Sequence, residues 1–312
     1  VALFFRVYDN RLYSIGETDY LGFDINSPYH IPDEYLGDKE FVVMRTCHGI
    51  GDWCIISAMP KLLKKKYPDC KVYVPSPKML KKVFGNMLNT WGYGTYDCSN
   101  VTLDIFANNP YVDSFIDEIN GEIYHDHYRL YDLNNSKIPL LEQMLNFWQF
   151  TEEERSDSPP EIYFSESEKN LDTRIFNDWA GKKYGYISLS STYGNTSDSY
   201  TLVDIAKQFE EDYNWYYYGE KPIHETDFNF LKNVMEVKPM GLSIREQMYL
   251  KCNAEVNIGN ETGMNLWSSR YSKSYILSHK YYGKIHGPNK EGKPRKDPFS
   301  SGNFVKSVTY VS

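Results

Sequence analysis

The chain has 312 residues, 41% hydrophobic and 24% charged, with a formal net charge of -8. This suits a globular protein with a proper core, in one large domain or two medium ones. No apolar run reaches membrane-spanning length, no signal peptide is expected, and the acidic balance disfavours nonspecific nucleic-acid binding. The five cysteines fall at irregular spacing, forming neither a metal pattern nor a disulfide framework, which points to a reducing, cytoplasmic setting. The 28 tyrosines read as a compositional bias rather than as a stacking platform for sugars or bases.

The first 40 residues alternate strand-like and turn-like pieces. Leu3–Tyr8 and Arg11–Ile15 flank Asp9-Asn10 as a hairpin would, and residues 21–40 read as a covering loop. The most informative stretch follows. Phe41–Arg45 is a buried-looking strand, and Cys47–Asp52 a glycine turn. Ile55, Ile56, Met59, Leu62 and Leu63 then lie at helical spacing up to Lys64-Lys65-Lys66, and Lys71–Val74 is a second strand. This is a β-α-β unit, which implies a parallel sheet with ligands at the strand-to-helix turn. A dinucleotide reading fits poorly. Gly49 and Gly51 supply two of the three small residues, but Cys54 stands at the third position, and no acidic residue closes the second strand. Asp52, in the first turn of the helix, is favoured there as a carboxylate by free N–H groups and the helix dipole. It is either a functional group facing the crevice or an ordinary helix-terminal charge.

Beyond this unit, Pro77–Phe84 looks helical and Ser114–Ile116 extended. Gly121–Tyr128 carries His125 and His127 at i, i+2, too few ligands for a metal site. Pro139–Phe150 reads as an amphipathic helix, and the polar run Thr151–Pro160 as a linker. After it the alternation restarts. Strands are expected over Tyr184–Ser190, Trp215–Tyr218, Ala254–Ile258 and Ser274–Leu277. Helices are expected over Glu166–Trp179, Leu202–Tyr213, His224–Asn233, Ser243–Lys251 and Thr262–Arg270. The expected domains are therefore 1–160 and 161–312. Asn257–Asn265 closes a strand and opens a helix, so Thr262 and Gly263 would offer a phosphate site, or the turn is simply a capped helix. Ser190-Ser191-Thr192, Gly219-Glu220-Lys221 and Met240–Ser243 also resemble ligand loops at strand ends, although Ser243 with Glu246 fits a capping box. Lys284–Ser312 reads as an acceptor-facing segment or as a loose tail packing back on the first domain.

Taken together, four features resemble the ADP-heptose:lipopolysaccharide heptosyltransferase family of GT-B glycosyltransferases. They are the Gly49-Ile50-Gly51-Asp52 turn leading to Lys66-Tyr67-Pro68-Asp69, the strand ending in Tyr218-Gly219, the Leu242–Glu246 helix start and the Glu261-Thr262-Gly263 turn. The resemblance spans about Phe41 to Leu277. It departs from the family at Ser190-Ser191-Thr192, at Glu261 and around Asn265-Leu266, which argues against the usual heptose as donor.

The resemblance implies an α/β chain of GT-B architecture, two Rossmann-like domains facing across a cleft, with an acceptor-side first domain and a nucleotide-sugar-binding second one. It implies inverting, metal-independent transfer of a sugar to a glycan or lipopolysaccharide-type hydroxyl, with the nucleotide sugar as substrate and no cofactor or metal. Asp52 would be the general base. Gly51, Ser190, Ser191, Gly219, Lys221, Glu261, Thr262 and Gly263 would hold the donor, and His48 and Trp53 the acceptor. Lys221 or Arg245 would offset charge on the leaving nucleoside diphosphate. Three alternatives stand beside this reading: transfer to a modified base in DNA, a sugar-nucleotide epimerase, and a nucleotide-sugar binding module.

Overall fold

The computed structural model describes residues 4–8, 11–15, 40–43, 50–84, 97–118, 121–123, 150, 151, 153, 154, 159–171, 183–188, 204–209, 213–218, 233–237, 240–260, 263–268, 270–277 and 307–311. By internal contacts the chain divides into two units, Val1–Tyr163 and Phe164–Ser312.

In the first unit, β1 (Phe4–Tyr8) and β2 (Arg11–Ile15) pair antiparallel with Tyr8 opposite Arg11, the hairpin expected from Asp9-Asn10. The other edge of β1 pairs with a short strand at Gly121–Ile123, making a three-stranded antiparallel sheet. A separate parallel sheet is built from β3 (Glu40–Val42), β4 (Lys71–Pro75) and β5 (Ser114–Ile116), in that order. Naming the Gly121–Ile123 strand β6 completes the unit. The β-α-β unit is thus present, but its helix is two helices: α1 (Ile50–Ile56) and α2 (Met59–Lys66). Pro60 explains the break. It has no N–H to give and its ring crowds the carbonyl four residues back, which is that of Ile56, where α1 stops. Pro60 instead sits in the first turn of α2, where a missing donor costs nothing. Lys64, Lys65 and Lys66 occupy the last turn of α2, where the dipole favours cations. Helices α3 (Pro77–Phe84) and α4 (Val101–Phe106) complete the described layer.

Asp113 ties this unit together. Its carboxylate accepts from Val72 N at 2.7 Å and meets Lys64 Nζ at 2.7 Å, while Lys64 also donates to Cys70 O at 2.6 Å. Burial acts to raise the Asp113 pKa, but the Lys64 and Val72 donors outweigh it and hold the carboxyl below its ordinary value. The chain beyond the expected linker stays with this unit. Glu161 N donates to Ser57 Oγ at 2.9 Å, and Tyr163 meets Tyr111 edge to face. No strand forms over 161–164.

The second unit is a six-stranded sheet. Its strands are β7 (Tyr184–Ser188), β8 (Asn214–Tyr218), β9 (Asn233–Glu236), β10 (Val256–Asn260), β11 (Lys273–Leu277) and β12 (Ser307–Val311). Every neighbouring pair is parallel, and the spatial order is β12-β11-β10-β7-β8-β9. Counted from β7, this is 3-2-1-4-5-6, the Rossmann order. Strand β12 corrects the expectation of a loose tail for residues 307–311. Ser307-Val308-Thr309-Tyr310-Val311 is rich in β-branched and aromatic residues and extends the sheet beside β11.

A parallel sheet needs cover on both faces. Here Ile187, Trp215, Tyr217, Val256 and Ile258 form one buried face with Ile205 and Ala206. Tyr184, Tyr186 and Tyr216 form the other, with Leu171, Val237, Leu250 and Ala254. The tyrosine excess is therefore partly a matter of core packing. Helix α5 (Glu166–Lys169) and helix α6 (Ile244–Asn253) each open with a full capping box, Ser165 with Glu168 and Ser243 with Glu246. The Ser243 reading is thereby structural. Helix α7 (Gly263–Ser268) follows β10.

Gly185 on β7 faces Trp215 on β8, and a Cβ there would stand 2.3 Å from the indole Cζ3. The ring lies flat over the missing side chain. Gly185→Ala is expected to destabilise the second unit by about 1–3 kcal/mol, read as a lower urea midpoint with an unchanged slope.

Candidate functional site

In an open α/β sheet, ligands bind beyond the carboxyl ends of the strands where the strand order reverses. Here that reversal lies between β7 and β10, which pair with Gly259 opposite Ser188. The chain leaves β7 two residues before Ser190 and Ser191. It leaves β10 at Asn260, directly before Glu261 and Thr262, and Gly263 is the first residue of α7. Gly219 and Lys221 follow the end of β8. Because these strands are parallel, all three ends lie on one edge of the sheet. Ser190, Ser191, Gly219, Lys221, Glu261 and Thr262 themselves lie outside the described residues, as do His48, His125, His127 and the expected helices over 139–149 and 224–232; Asn233, expected to end the second of these helices, opens β9 instead.

Beneath the switch point is a polar cluster that the sequence reading missed. Lys251, in α6, is 2% exposed. Its Nζ donates to Asn265 Oδ1 of α7 at 2.5 Å and stands 4.2 Å from the ring centroid of Tyr186 on β7. Asn265 in turn packs on Gly259 of β10: a Cβ at Gly259 would lie 2.3 Å from Asn265 Nδ2 and 2.7 Å from the Ser188 carbonyl. Asn257, also on β10, donates to the Lys251 carbonyl at 2.8 Å and to Ser272 Oγ. Burial pushes the Lys251 amine down to about 7, with a small opposing effect from Cys252. Burial likewise raises the Tyr186 and Cys252 acids, so both are neutral. The signal for Lys251 was its position. It lies three residues after Met248 and four after Gln247, on the buried stripe of α6, but a lysine near a helix end reads by default as a dipole-matching surface charge.

Other expected residues occupy different places. Asp52 is the third residue of α1, in its first turn, and Gly51 precedes it. Trp53 is fully buried and meets Phe106 edge to face at 6.3 Å, so its indole packs the core of the first unit and offers no open face to an acceptor. Arg245 does not supply a spare cation. Its Nε and Nη2 both reach the Glu168 carboxylate, at 2.5 and 3.1 Å, and its guanidinium lies over Phe164. The pair joins the two capping boxes of α5 and α6. Among the described residues, no group of three or more His, Cys, Asp or Glu is arranged to hold a metal ion, and no helix is long and apolar enough to cross a membrane.

No family model matches the chain, and no curated protein matches it in sequence. Similar solved structures include a glycosyl transferase family 9 protein from Veillonella parvula, 12% identical over 87% of this chain and 86% of that one, with a TM-score of 0.47. The E. coli ADP-heptose lps heptosyltransferase II is 11% identical over 87% and 90%, with a TM-score of 0.48. The E. coli heptosyltransferase WaaC with ADP is 9% identical over 88% and 91%, with a TM-score of 0.37.

The Lys251 amine carries a signed pH dependence. Its folded pKa lies below the ordinary lysine value, so between about pH 7 and pH 10 the unfolded chain holds a proton that the folded one lacks, and stability rises with pH in that window. Wild type should therefore gain on Lys251→Met by up to about 1.4 kcal/mol per pH unit there, measured by urea unfolding of both proteins across the range.

Proposed function

We propose that the protein is a glycosyltransferase that moves a sugar from a nucleotide-sugar donor to an acceptor hydroxyl, with inversion and without a metal. The observation that carries this reading is the six-stranded parallel sheet in Rossmann order, whose switch point lies where β7 and β10 lead into Ser190-Ser191 and Glu261-Thr262-Gly263. The first unit supports it, because β3 and β4 pair in parallel and α1, which lies between them in sequence, has Gly51 and Asp52 in its first turn.

In this reading Asp52 accepts the proton of the acceptor hydroxyl as its oxygen attacks the anomeric carbon. General-base help of this kind is typically worth about 10²–10⁴-fold. The bond from the anomeric carbon to the donor phosphate breaks, and the nucleoside diphosphate leaves with an added negative charge. Thr262 and Gly263 hold its phosphates, Lys221 offsets the charge, and Gly51, Ser190, Ser191, Gly219 and Glu261 complete the donor contacts. Arg245 has no part in this, since Glu168 already neutralises it. His48 remains an acceptor-side candidate, whereas buried Trp53 supports α1 from beneath.

A glycan or lipid-linked acceptor is preferred to DNA. Duplex binding needs cations free to replace counterions at phosphates. In α2 and α3, Lys61, Lys64, Lys66, Lys78, Lys81 and Lys82 each stand within 3.7 Å of a carboxylate oxygen. A reducing, cytoplasmic setting goes with this reading, because the five cysteines fall at irregular spacing.

The test is a donor panel. Wild type and Asp52→Asn are mixed with nucleotide sugars and nucleoside diphosphates, and thermal stabilisation and slow donor hydrolysis are followed. One nucleotide sugar should stabilise both proteins, by about 2.7 kcal/mol at a hundredfold excess over its Kd. Hydrolysis should fall by about 10²–10⁴-fold in the variant. Stabilisation of neither protein by any nucleotide would overturn the proposal.

A further inference from the structure

The buried amine of Lys251 calls for a reason. At 2% exposure it gains nothing from solvent, and a methionine would fill the same space without the desolvation penalty. Among the described residues, no carboxylate pairs with it. Its polar contacts there are one side-chain acceptor, Asn265 Oδ1, and the face of Tyr186. Asn257 and Ser272 bond to the Lys251 carbonyl, not to its amine.

Asn265 cannot shift without consequence. Its amide fills the space above Gly259 where any other residue would place a Cβ, close to the Ser188 carbonyl. Donation from Lys251 to Oδ1 turns Nδ2 toward the sheet and so selects one of the two amide orientations. The chain thus ends β10 at Asn260, and Asn265 of α7 packs back on Gly259. Between Asn260 and Asn265 the chain carries Glu261, Thr262 and Gly263.

We propose that Lys251 is a positioning residue for the first turn of α7: by hydrogen-bonding Asn265 it pins α7 onto Gly259 of β10, beside the β7/β10 switch point. The assignment of that turn to the donor's phosphates rests on the function proposed above; the pinning does not. Lys251 touches neither donor nor acceptor. It acts through Asn265, and so governs how well the turn is pre-organised for an anionic group rather than the chemistry of transfer.

The experiment uses the full chain as wild type, Lys251→Met, Asn265→Ala and the double variant, with two readouts. The first is amide hydrogen exchange. Peptides covering 260–265 should exchange at least tenfold faster in each single variant, while β7, β8 and the middle of α6 keep wild-type protection. The double variant should be no faster than the singles, because all three lack the same hydrogen bond. Unchanged exchange at 260–265, loosening spread evenly over the unit, or additive effects in the double variant would overturn the proposal. If Lys251→Met does not fold, Asn265→Ala, which keeps the amine, decides by the same criterion. The second readout is calorimetric binding of ADP, UDP, GDP, CDP and TDP. A tenfold or greater loss of affinity in the single variants, for whichever diphosphate the wild type binds, ties the pinning to the donor. If the wild type binds none of them while exchange at 260–265 is raised in the variants, the donor reading fails and the positioning role of Lys251 stands.

Discussion

The second unit depends on strand β7 being covered on both faces at once. On one face, Gly185 leaves room for the Trp215 indole to lie against the backbone. On the other, Tyr186 lies beneath the Lys251 amine, which donates to Asn265. Fully burying each of these large side chains is worth roughly 1.5–3 kcal/mol relative to leaving it exposed. Both contacts require the residue opposite to be of one kind, a glycine under an indole or a ring under an amine. The centre of the sheet is therefore more tightly specified than its edges, and the switch point inherits that specification.

The first unit has a different kind of centre. Its parallel sheet is short, and the apolar faces of α1, α2 and α4 supply most of the described core, with Trp53, Leu62, Ile105 and Phe106 nearly inaccessible. Polar ties do the joining. Asp113 connects the loop before β5 to the backbone of β4 and to α2 through Val72 and Lys64. Ser57, in the break between α1 and α2, accepts from Glu161 and so holds the segment that leads to the second unit. The proline that divides the helix thus also provides the site at which the departing chain is anchored.

Much of this was legible in the sequence because it is written in local rules. Alternating runs around Asp9-Asn10 made a hairpin, Ser243 with Glu246 made a capping box, and glycine-closed strands followed by apolar helices made parallel α/β units. What was not legible depended on partners far along the chain. Arg245 reads as a free cation until Glu168 is brought beside it. Trp53, next to a glycine turn, reads as a ligand contact until Phe106 closes over it. Lys251 reads as a helix-end charge until α7 folds above it. Residues 307–311 read as a tail because a lone strand has no signature of which edge it joins. The proposed donor residues themselves were placed by motif, and the sheet supports them only through the ends of β7, β8 and β10.

The strand order has a kinetic side as well. Within the six-stranded sheet, β7-β8, β8-β9, β10-β11 and β11-β12 are each neighbours in sequence as well as in space. Only β7 and β10 are not, and their register joins residues 185 and 256. The sheet is therefore two triplets, each able to grow by local pairing, joined along one seam whose closure carries the largest entropy cost in the sheet. The seam is also the switch point. The edge at which a ligand would sit exists only once the two halves have met, so a ligand held there would favour the joined sheet over its separate halves.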